Sequence, residues 1–400
     1  MLQILGRDRY GAMTVAISLI GWCSLLDFGL AGSLQNFISE MRAAGMQYRR
    51  ILQAALLLGA LLVVVLSVLN LLVAPLAGKW LFGRFALLGL AHPGWYFAAA
   101  VLVGSGWTIA IISFRIWLAE HRGYTPNVLM IFGYGGMILG LVAIRHWRPS
   151  ESFFWCIIAY MGPMTICAGA GYLWQWIRLR PTLREIDIPV AVRLTKRGMM
   201  IWVTMLLGLL SVQSDYFIMS RFVKPAALAQ YGVAQKVQIV PYMIYSILLS
   251  SSIPMLAELT HRGEKRLVRR EISRLLAIGV AGPLIFFALC PFMLRPIGQL
   301  FATKEGAMTI PLSLMFWLCL NYTLRNVVET YTSLIIAVNE LRFFFIVQPM
   351  QVILSIGFQI LFVSRLGAIG SPMGMALSFA LTFLWLAPKK LRSMLPAVSP

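Results

Sequence analysis

The chain has 400 residues, of which 60% are hydrophobic and only 12% charged, and its mean hydropathy is +0.81. An ordinary soluble domain carries about 25% charged residues, so this composition excludes one. The formal charge of +20 does not indicate nucleic acid, because the basic residues sit in short clusters between apolar runs, the pattern that orients membrane proteins and brings Lys and Arg to anionic lipids.

At roughly 20 apolar residues per span the chain has room for about ten to twelve transmembrane helices. Residues 1–9 read as a loop, since no basic segment leads into an apolar one as in a signal peptide. Eleven spans are then expected, at 10–37, 52–75, 94–118, 124–145, 153–175, 198–220, 228–256, 273–295, 308–337, 342–364 and 368–387. The first and seventh are longer than one bilayer thickness and should tilt or extend beyond it. The richer of the two sets of alternate loops holds roughly twice the Lys and Arg of the other, which puts the C-terminus in the cytoplasm.

A helix pair repeats at about half the length. The run from Tyr10 to Glu40, with Asp27 inside it, is followed by a basic loop (Arg42, Arg49, Arg50) and a second run, Leu52 to Ala74. Tyr231-Gly232 opens another run that closes at Glu258, followed by Arg262, Lys265, Arg266, Arg269 and Arg270 and a further run from Leu275. Such repetition indicates two similar membrane lobes, an organisation found mostly in transporters. The expected fold is an all-α polytopic membrane protein of two pseudo-symmetric lobes, five helices plus six. The N-terminal lobe is 1–177, the C-terminal lobe 198–400. Between them 178–197, RLRPTLREIDIPVAVRLTKR, alternates charge with apolar residues and reads as an amphipathic cytoplasmic connector on the membrane surface. Glycines in GYGGMILG (Gly133 to Gly140) allow close helix packing, and Pro163, Pro241, Pro254, Pro283 and Pro349 should kink their helices.

Charges inside a span are costly unless paired or hydrated, so each is a candidate site. The deepest are Asp27, Asp215, Lys236, Arg325 and Glu329. Asn321, Arg325 and Glu329 stand at i, i+4 and i+8 on one helix face, either as an internal Arg325–Glu329 pair or as a pair facing a hydrated cavity. Lys236 either lines a cavity or snorkels to the interface. Asp27 is a coupling carboxylate or a bond to a neighbouring helix end, and Asp215 has an interfacial structural reading beside its coupling one. Arg115 and Glu120, at the inner end of the third span, are read as contacts to lipid headgroups. The five cysteines lie in apolar runs without CxxC spacing, no His/Cys cluster marks a metal site, and no GxxxxGK[ST] loop is present, so no cofactor is implied. Neither a nucleophile with its base nor paired carboxylates in a polar loop suggests an enzyme.

The stretch LGRDRYGAMTVAISLIGWCSLLDFGLAGSLQNFISEMRAAG resembles the opening of bacterial polysaccharide (O-antigen type) flippases of the multidrug/oligosaccharidyl-lipid/polysaccharide exporter (MATE-like) superfamily, in which an LG-x-x-x-YG turn precedes an L-L-D-x-G-L segment, here Leu25 to Leu30. SDYFIMSRFVKPAALAQYGVAQKV resembles the opening of their second lobe, with an A-x-Y-x-x-A-x-K/R pattern at Ala229 to Lys236. The resemblance implies two six-helix lobes around a central cavity working by alternating access, with the family's first helix missing from this chain. It implies a multi-pass protein of the bacterial inner membrane that moves isoprenoid-diphosphate-linked oligosaccharide to the outer leaflet for surface polysaccharide (lipopolysaccharide O-antigen) synthesis. Carried over, Lys236 and Arg325, with Glu329 and Asn321 beside them, would bind the substrate, and Asp27 or Asp215 would couple transport to a proton or sodium ion. Polysaccharide polymerase machinery is the expected protein partner. The alternatives are a drug/cation antiporter of the same superfamily and a membrane-embedded polysaccharide polymerase.

Overall fold

The computed structural model describes residues 1–43, 45–120, 122, 124–147, 149, 151–182, 188–261, 264–300, 308–337 and 342–394. Its regular structure is helical, with no strand among the described residues. The chain divides into two compact units, Met1–Leu206 and Leu207–Pro400. Seven stretches among the described residues are each long and apolar enough to cross a membrane, and one of them, Arg342–Leu391, merges two of the spans expected separately.

Unit 1 contains α1 (Leu2–Trp22), α2 (Leu30–Ala43), α3 (Arg49–Phe82), α4 (Pro93–Ala110), α5 (Ile112–Ala119), α6 (Tyr124–Trp147), α7 (Ser152–Leu179) and most of α8 (Ile188–Gln213). The first residues are helical, not a loop: α1 starts at Leu2 and bends at Gly6, whose φ is 76°. Leu2 and Leu5 are buried at helical spacing, and Arg7, Asp8 and Arg9 dilute that short apolar signal in a hydropathy window. Arg9 anchors the bend, its Nε donating to the Leu88 carbonyl at 2.8 Å.

The expected first span, 10–37, is broken. After α1 comes a single 3-10 turn, Cys23–Leu25, and then Phe28 and Gly29 with φ of 51° and 75°. Two consecutive left-handed residues end any helix, and only glycine takes that conformation without steric cost. The break is a docking point for α8. Trp202 Nε1 donates to the Leu25 carbonyl at 2.7 Å, and its ring lies 5.6 Å from that of Phe28. A Cβ on Gly29 would overlap the Gly198 carbonyl oxygen, so the two backbones meet through paired glycines. Of the connector expected at 178–197, Leu179 ends α7 and the residues from Ile188 on belong to the helix α8. Residues 183–187 lie outside the described residues.

Elsewhere in unit 1 the helices are joined by side-chain donors reaching backbone carbonyls. Gln53 Nε2 bonds Leu179 O at 3.1 Å, Asn70 Nδ2 bonds Ala98 O at 2.9 Å, Thr165 Oγ1 bonds Val103 O at 2.9 Å, and the Tyr172 hydroxyl bonds Leu56 O. Such bonds stabilise helix association in lipid, where burying apolar surface between helices provides no driving force, by about 0.6 to 2 kcal/mol each. Gly133, Gly136 and Gly140 of α6 lie against Met164, Pro163 and Ala159 of α7, which is the close approach the glycine run suggested. Glu120 is bound by Arg178 rather than left for headgroups, with Nη1 to Oε2 at 3.0 Å and Nη2 to Oε1 at 3.1 Å. Long apolar faces remain exposed, such as Leu61, Val64, Leu72 and Leu76 of α3, as a lipid-facing surface requires.

Unit 2 holds the end of α8 and then α9 (Asp215–Phe222), α10 (Pro225–His261), α11 (Lys265–Leu300), α12 (Leu312–Ala337), α13 (Arg342–Leu366), α14 (Gly370–Leu381) and α15 (Phe383–Met394). The spans expected at 198–220 and 368–387 are each interrupted, at Ser214 and at Thr382. Gly370 and Gly374 let α14 press against the α13 backbone at Phe362 and Gln359. Between them Ser371 Oγ donates to Gln359 Oε1 at 3.1 Å, while Gln359 Nε2 reaches Ser355 Oγ at 3.0 Å. Ser355 in turn donates to Ser211 O at 2.8 Å, which secures the end of α8.

Gly29→Ala should lower the melting temperature of the purified protein more than Gly6→Ala. Both sites have positive φ, a strain of about 1–3 kcal/mol for a residue with a Cβ, but a Cβ at position 6 meets nothing within 4 Å. Equal losses would show that the Gly29–Gly198 contact yields at no cost.

Candidate functional site

One face of α10 carries a polar series inside an otherwise apolar bundle: Tyr231, Gln235, Gln238, Tyr242 and Tyr245. Steps of three and four residues keep these side chains on one stripe. Its first part surrounds Asp215, the first residue of α9. Asp215 is buried and accepts from the Tyr231 hydroxyl at 2.7 Å and from Gln235 Nε2 at 3.3 Å, both at Oδ2. Its Oδ1 accepts from the Tyr216 backbone N–H at 2.8 Å, and Tyr216 donates its hydroxyl to Gln235 Oε1 at 2.6 Å. Asp215 is therefore held in the interior of unit 2.

The second part meets α12. Arg325 Nε donates to Glu329 Oε1 at 2.8 Å, and the Tyr242 hydroxyl donates to the same oxygen at 2.9 Å. The guanidinium carbon stands 4.3 Å from the centroid of the Tyr242 ring, a cation–π distance. Tyr322 packs its ring 5.4 Å from that of Tyr242, and Tyr245 bonds Thr330 at 2.5 Å. Arg325 is thus fixed by one edge and one face. Its Nη1 and Nη2 make no hydrogen bond among the described residues, and 23% of its side chain is exposed, with 28% of Glu329. A guanidinium presents two parallel donors on that edge, the geometry that binds carboxylate or phosphate oxygens in pairs.

The remaining candidates are placed differently. Asn321 is buried and turns to α14, with Nδ2 3.7 Å from Met375 Sδ. Each four-residue step turns the face by about 40°, so Asn321 lies about 80° round the helix from Glu329. Lys236 is exposed, one position off the α10 stripe. Asp27, in unit 1, is buried and caps α2: Oδ1 accepts from Gly29 N–H at 2.9 Å and Oδ2 from Ala31 N–H at 3.0 Å. Both oxygens satisfy amides that the helix break leaves without carbonyl partners.

Sequence reasoning missed the tyrosines. The Tyr231 and Tyr242 hydroxyls bond Asp215 and Glu329, and the 231/235/238/242/245 spacing was the signal that could have found these two, whereas Tyr216 and Tyr322 lie outside it. It also missed Gln238, fully buried, whose two amide atoms have no hydrogen-bond partner among the described residues. Asn321 Oδ1 is in the same condition. Buried amides of this kind are otherwise nearly always met by protein or water.

No family model matches the chain. It is similar over nearly its whole length to proteins provisionally named O-antigen transporter in Salmonella typhi (25% identity, 97% of this chain, 89% of the relative) and Salmonella typhimurium (26%, 97% and 90%). A Yersinia pseudotuberculosis protein provisionally named O-antigen export protein is 26% identical over 98% of this chain and 90% of its own length. Among solved structures, an inward-facing multidrug resistance MATE family transporter of the MOP superfamily superposes with a TM-score of 0.78 at 15% identity, covering 98% of this chain and 92% of the other. The lipid II flippase MurJ in an inward closed conformation gives 0.69 at 13%, covering 97% and 84%. The fold is that of these transporters.

Tyr231→Phe should destabilise the protein by about 1–3 kcal/mol, because a buried carboxyl oxygen loses its shortest hydrogen bond. Tyr216→Phe, which removes a bond between neutral groups, should cost less. Thermal unfolding of the purified variants tests this ranking, and a neutral Tyr231→Phe would show that Asp215 is held by its other donors alone.

Proposed function

We propose that the protein is a flippase that moves isoprenoid-diphosphate-linked oligosaccharide from the cytoplasmic to the outer leaflet of the bacterial inner membrane for surface polysaccharide synthesis. Similarity to O-antigen transporters along 97% of the chain and the fold shared with a lipid II flippase support a substrate of this class. The observation that carries the reading is the Arg325 guanidinium, held within an apolar helix by Glu329 and Tyr242 while its Nη atoms make no hydrogen bond among the described residues. A diphosphate is the part of such a substrate that most resists leaving water, and a positioned guanidinium in a medium of low dielectric is a strong counter-charge for it. Glu329 keeps the cation from being an uncompensated charge when no substrate is bound.

Lys236 serves in this reading as a further cation for the headgroup, with Asn321 and Gln238 as neutral polar groups beside the path. No covalent step is involved. Transport is driven by a proton or sodium gradient, with Asp215 or Asp27 as the coupling carboxylate, or by coupled synthesis and consumption of the substrate through polymerase machinery. A drug/cation antiporter is the second reading, favoured by the TM-score of 0.78 to a multidrug transporter. It would rely on the carboxylates rather than on Arg325.

The leaflet distribution of lipid-linked oligosaccharide in cells with and without the gene separates the readings: cytoplasmic-leaflet accumulation on deletion supports the flippase, and drug accumulation with unchanged glycolipid supports the antiporter. Arg325→Ala should reduce flipping by more than about tenfold, equivalent to 1.4 kcal/mol, with membrane insertion intact. Normal flipping by an inserted variant would remove Arg325 from the site. Exchanging Arg325 and Glu329 should leave expression normal and transport lost, whereas restored transport would show that pairing alone matters.

Asp27 gives a separate test. Asp27→Asn retains one acceptor for the α2 amides, and Asp27→Ala retains none, a difference of about 0.5–2 kcal/mol in stability. If Asp27 only caps, transport follows stability and Asp27→Asn stays active. A stable but inactive Asp27→Asn would assign it a coupling role.

A further inference from the structure

A cavity of about 400 Å³ lies near the start of α11, between that helix, α12 and α15. Part of its lining is apolar, from Ile272, Leu276 and Leu391, and part is polar, from Arg269, Ser273 and Tyr331. Ile272 and Leu391 are buried, whereas Arg269 and Ser273 are exposed. The surrounding charge has one dominant sign. Lys265, Arg266, Arg270 and Arg274 share the first turns of α11 with Arg269, and α15 adds Lys389 and Lys390. Against them stand Glu264 and Glu271, and Glu271 is already engaged by Arg274 at 3.6 Å.

We propose that this cavity binds an anionic phospholipid, with its phosphate at Arg269 and Ser273 and the upper part of an acyl chain against Ile272, Leu276 and Leu391. Three observations select this occupant. The candidate membrane span Lys265–Pro296 has 32 residues, more than the roughly 20 that cross the hydrocarbon core, so its basic first turns extend past the core to where headgroup phosphates are concentrated. The density of Lys and Arg favours a lipid with net negative charge over a zwitterionic one. An apolar wall beside the cations suits an amphiphile, for which a free inorganic anion has no use. Tyr331 belongs to α12, two residues beyond Glu329, and packs in the same apolar cluster as Leu391. The lipid would therefore contact the helix that carries Arg325, but the inference holds whether or not Arg325 binds a diphosphate.

Lipid binding to the full chain in detergent, followed by native mass spectrometry, tests the assignment with phosphatidylglycerol, phosphatidylcholine and inorganic phosphate as probes. Phosphatidylglycerol should bind at least about tenfold more tightly than phosphatidylcholine. Arg269→Gln should weaken it by about tenfold. Ser273→Trp, which fills the cavity from an exposed position, should remove the tightest-bound lipid, and Arg221→Gln in α9 should leave it in place. Equal phosphatidylglycerol binding by wild type, Arg269→Gln and Ser273→Trp would overturn the proposal. So would equal affinity for phosphatidylcholine, which would indicate an unselective apolar groove, or full displacement of the lipid by millimolar phosphate, which would indicate a site for a free anion.

Discussion

A backbone amide that leaves its helix within a membrane has no water to accept its hydrogen, so every interruption of a spanning helix must be matched by a side chain or a neighbouring carbonyl. The arrangement of unit 1 follows from that constraint at one place. Between Trp22 and Leu30 the chain leaves α-helical geometry, and Asp27 spends both oxygens on the amides of Gly29 and Ala31. The Leu25 carbonyl accepts from Trp202 Nε1 as well as from the Phe28 N–H. One carboxylate and one indole thus make an otherwise costly break tolerable, and the space it opens admits Gly198 of α8 against Gly29.

Unit 2 meets the same constraint with different chemistry. Asp215 also stands beside a helix break, but only one of its bonds goes to backbone. The others come from Tyr231 and Gln235 on a different helix. A cap satisfied by adjacent amides is local and can form with its own helix. A carboxyl held by a second helix instead depends on how α9 and α10 pack, so a movement between them would change its hydrogen bonding. The same contrast separates Asp27 from the Arg325–Glu329 pair, whose geometry is completed by Tyr242 of α10.

The membrane class and the apolar segments were legible in the composition, since about 20 apolar residues have few places to go other than a bilayer. The breaks were not legible. Hydropathy averages over a window, and Phe28, Ser214 and Thr382 alter backbone direction without altering mean polarity. Helical character at Leu2–Leu5 was hidden for the opposite reason, because three charged residues follow it. The charged candidates were found individually, as intramembrane charges can be, and the Arg325–Glu329 pairing followed from i, i+4 spacing. Asn321 shows where that argument weakens, because two four-residue steps set it about 80° round the helix from Glu329, and its side chain turns to α14. The tyrosines were passed over because an aromatic residue in an apolar run reads as core, and the hydroxyl declares itself only when the helices are packed.

Those hydroxyls explain how an arginine can be retained in this interior at all. An intrahelical Arg–Glu pair alone would neutralise its own charge and leave the guanidinium turned wholly towards the carboxylate. Here Tyr242 shares Glu329 Oε1 with Arg325 Nε and supports the cation from below with its ring. The carboxylate is held to the Nε side, and the Nη edge is not used up in the pairing. The tyrosine therefore does two things that the salt bridge cannot: it disperses the desolvation cost of the cation over an aromatic face, and it orients the guanidinium so that a second anion can bind without first displacing the glutamate. An apolar residue at position 242 would remove both effects while leaving the charge pair formally intact, which makes Tyr242, more than Glu329, the residue on which the proposed role of Arg325 depends.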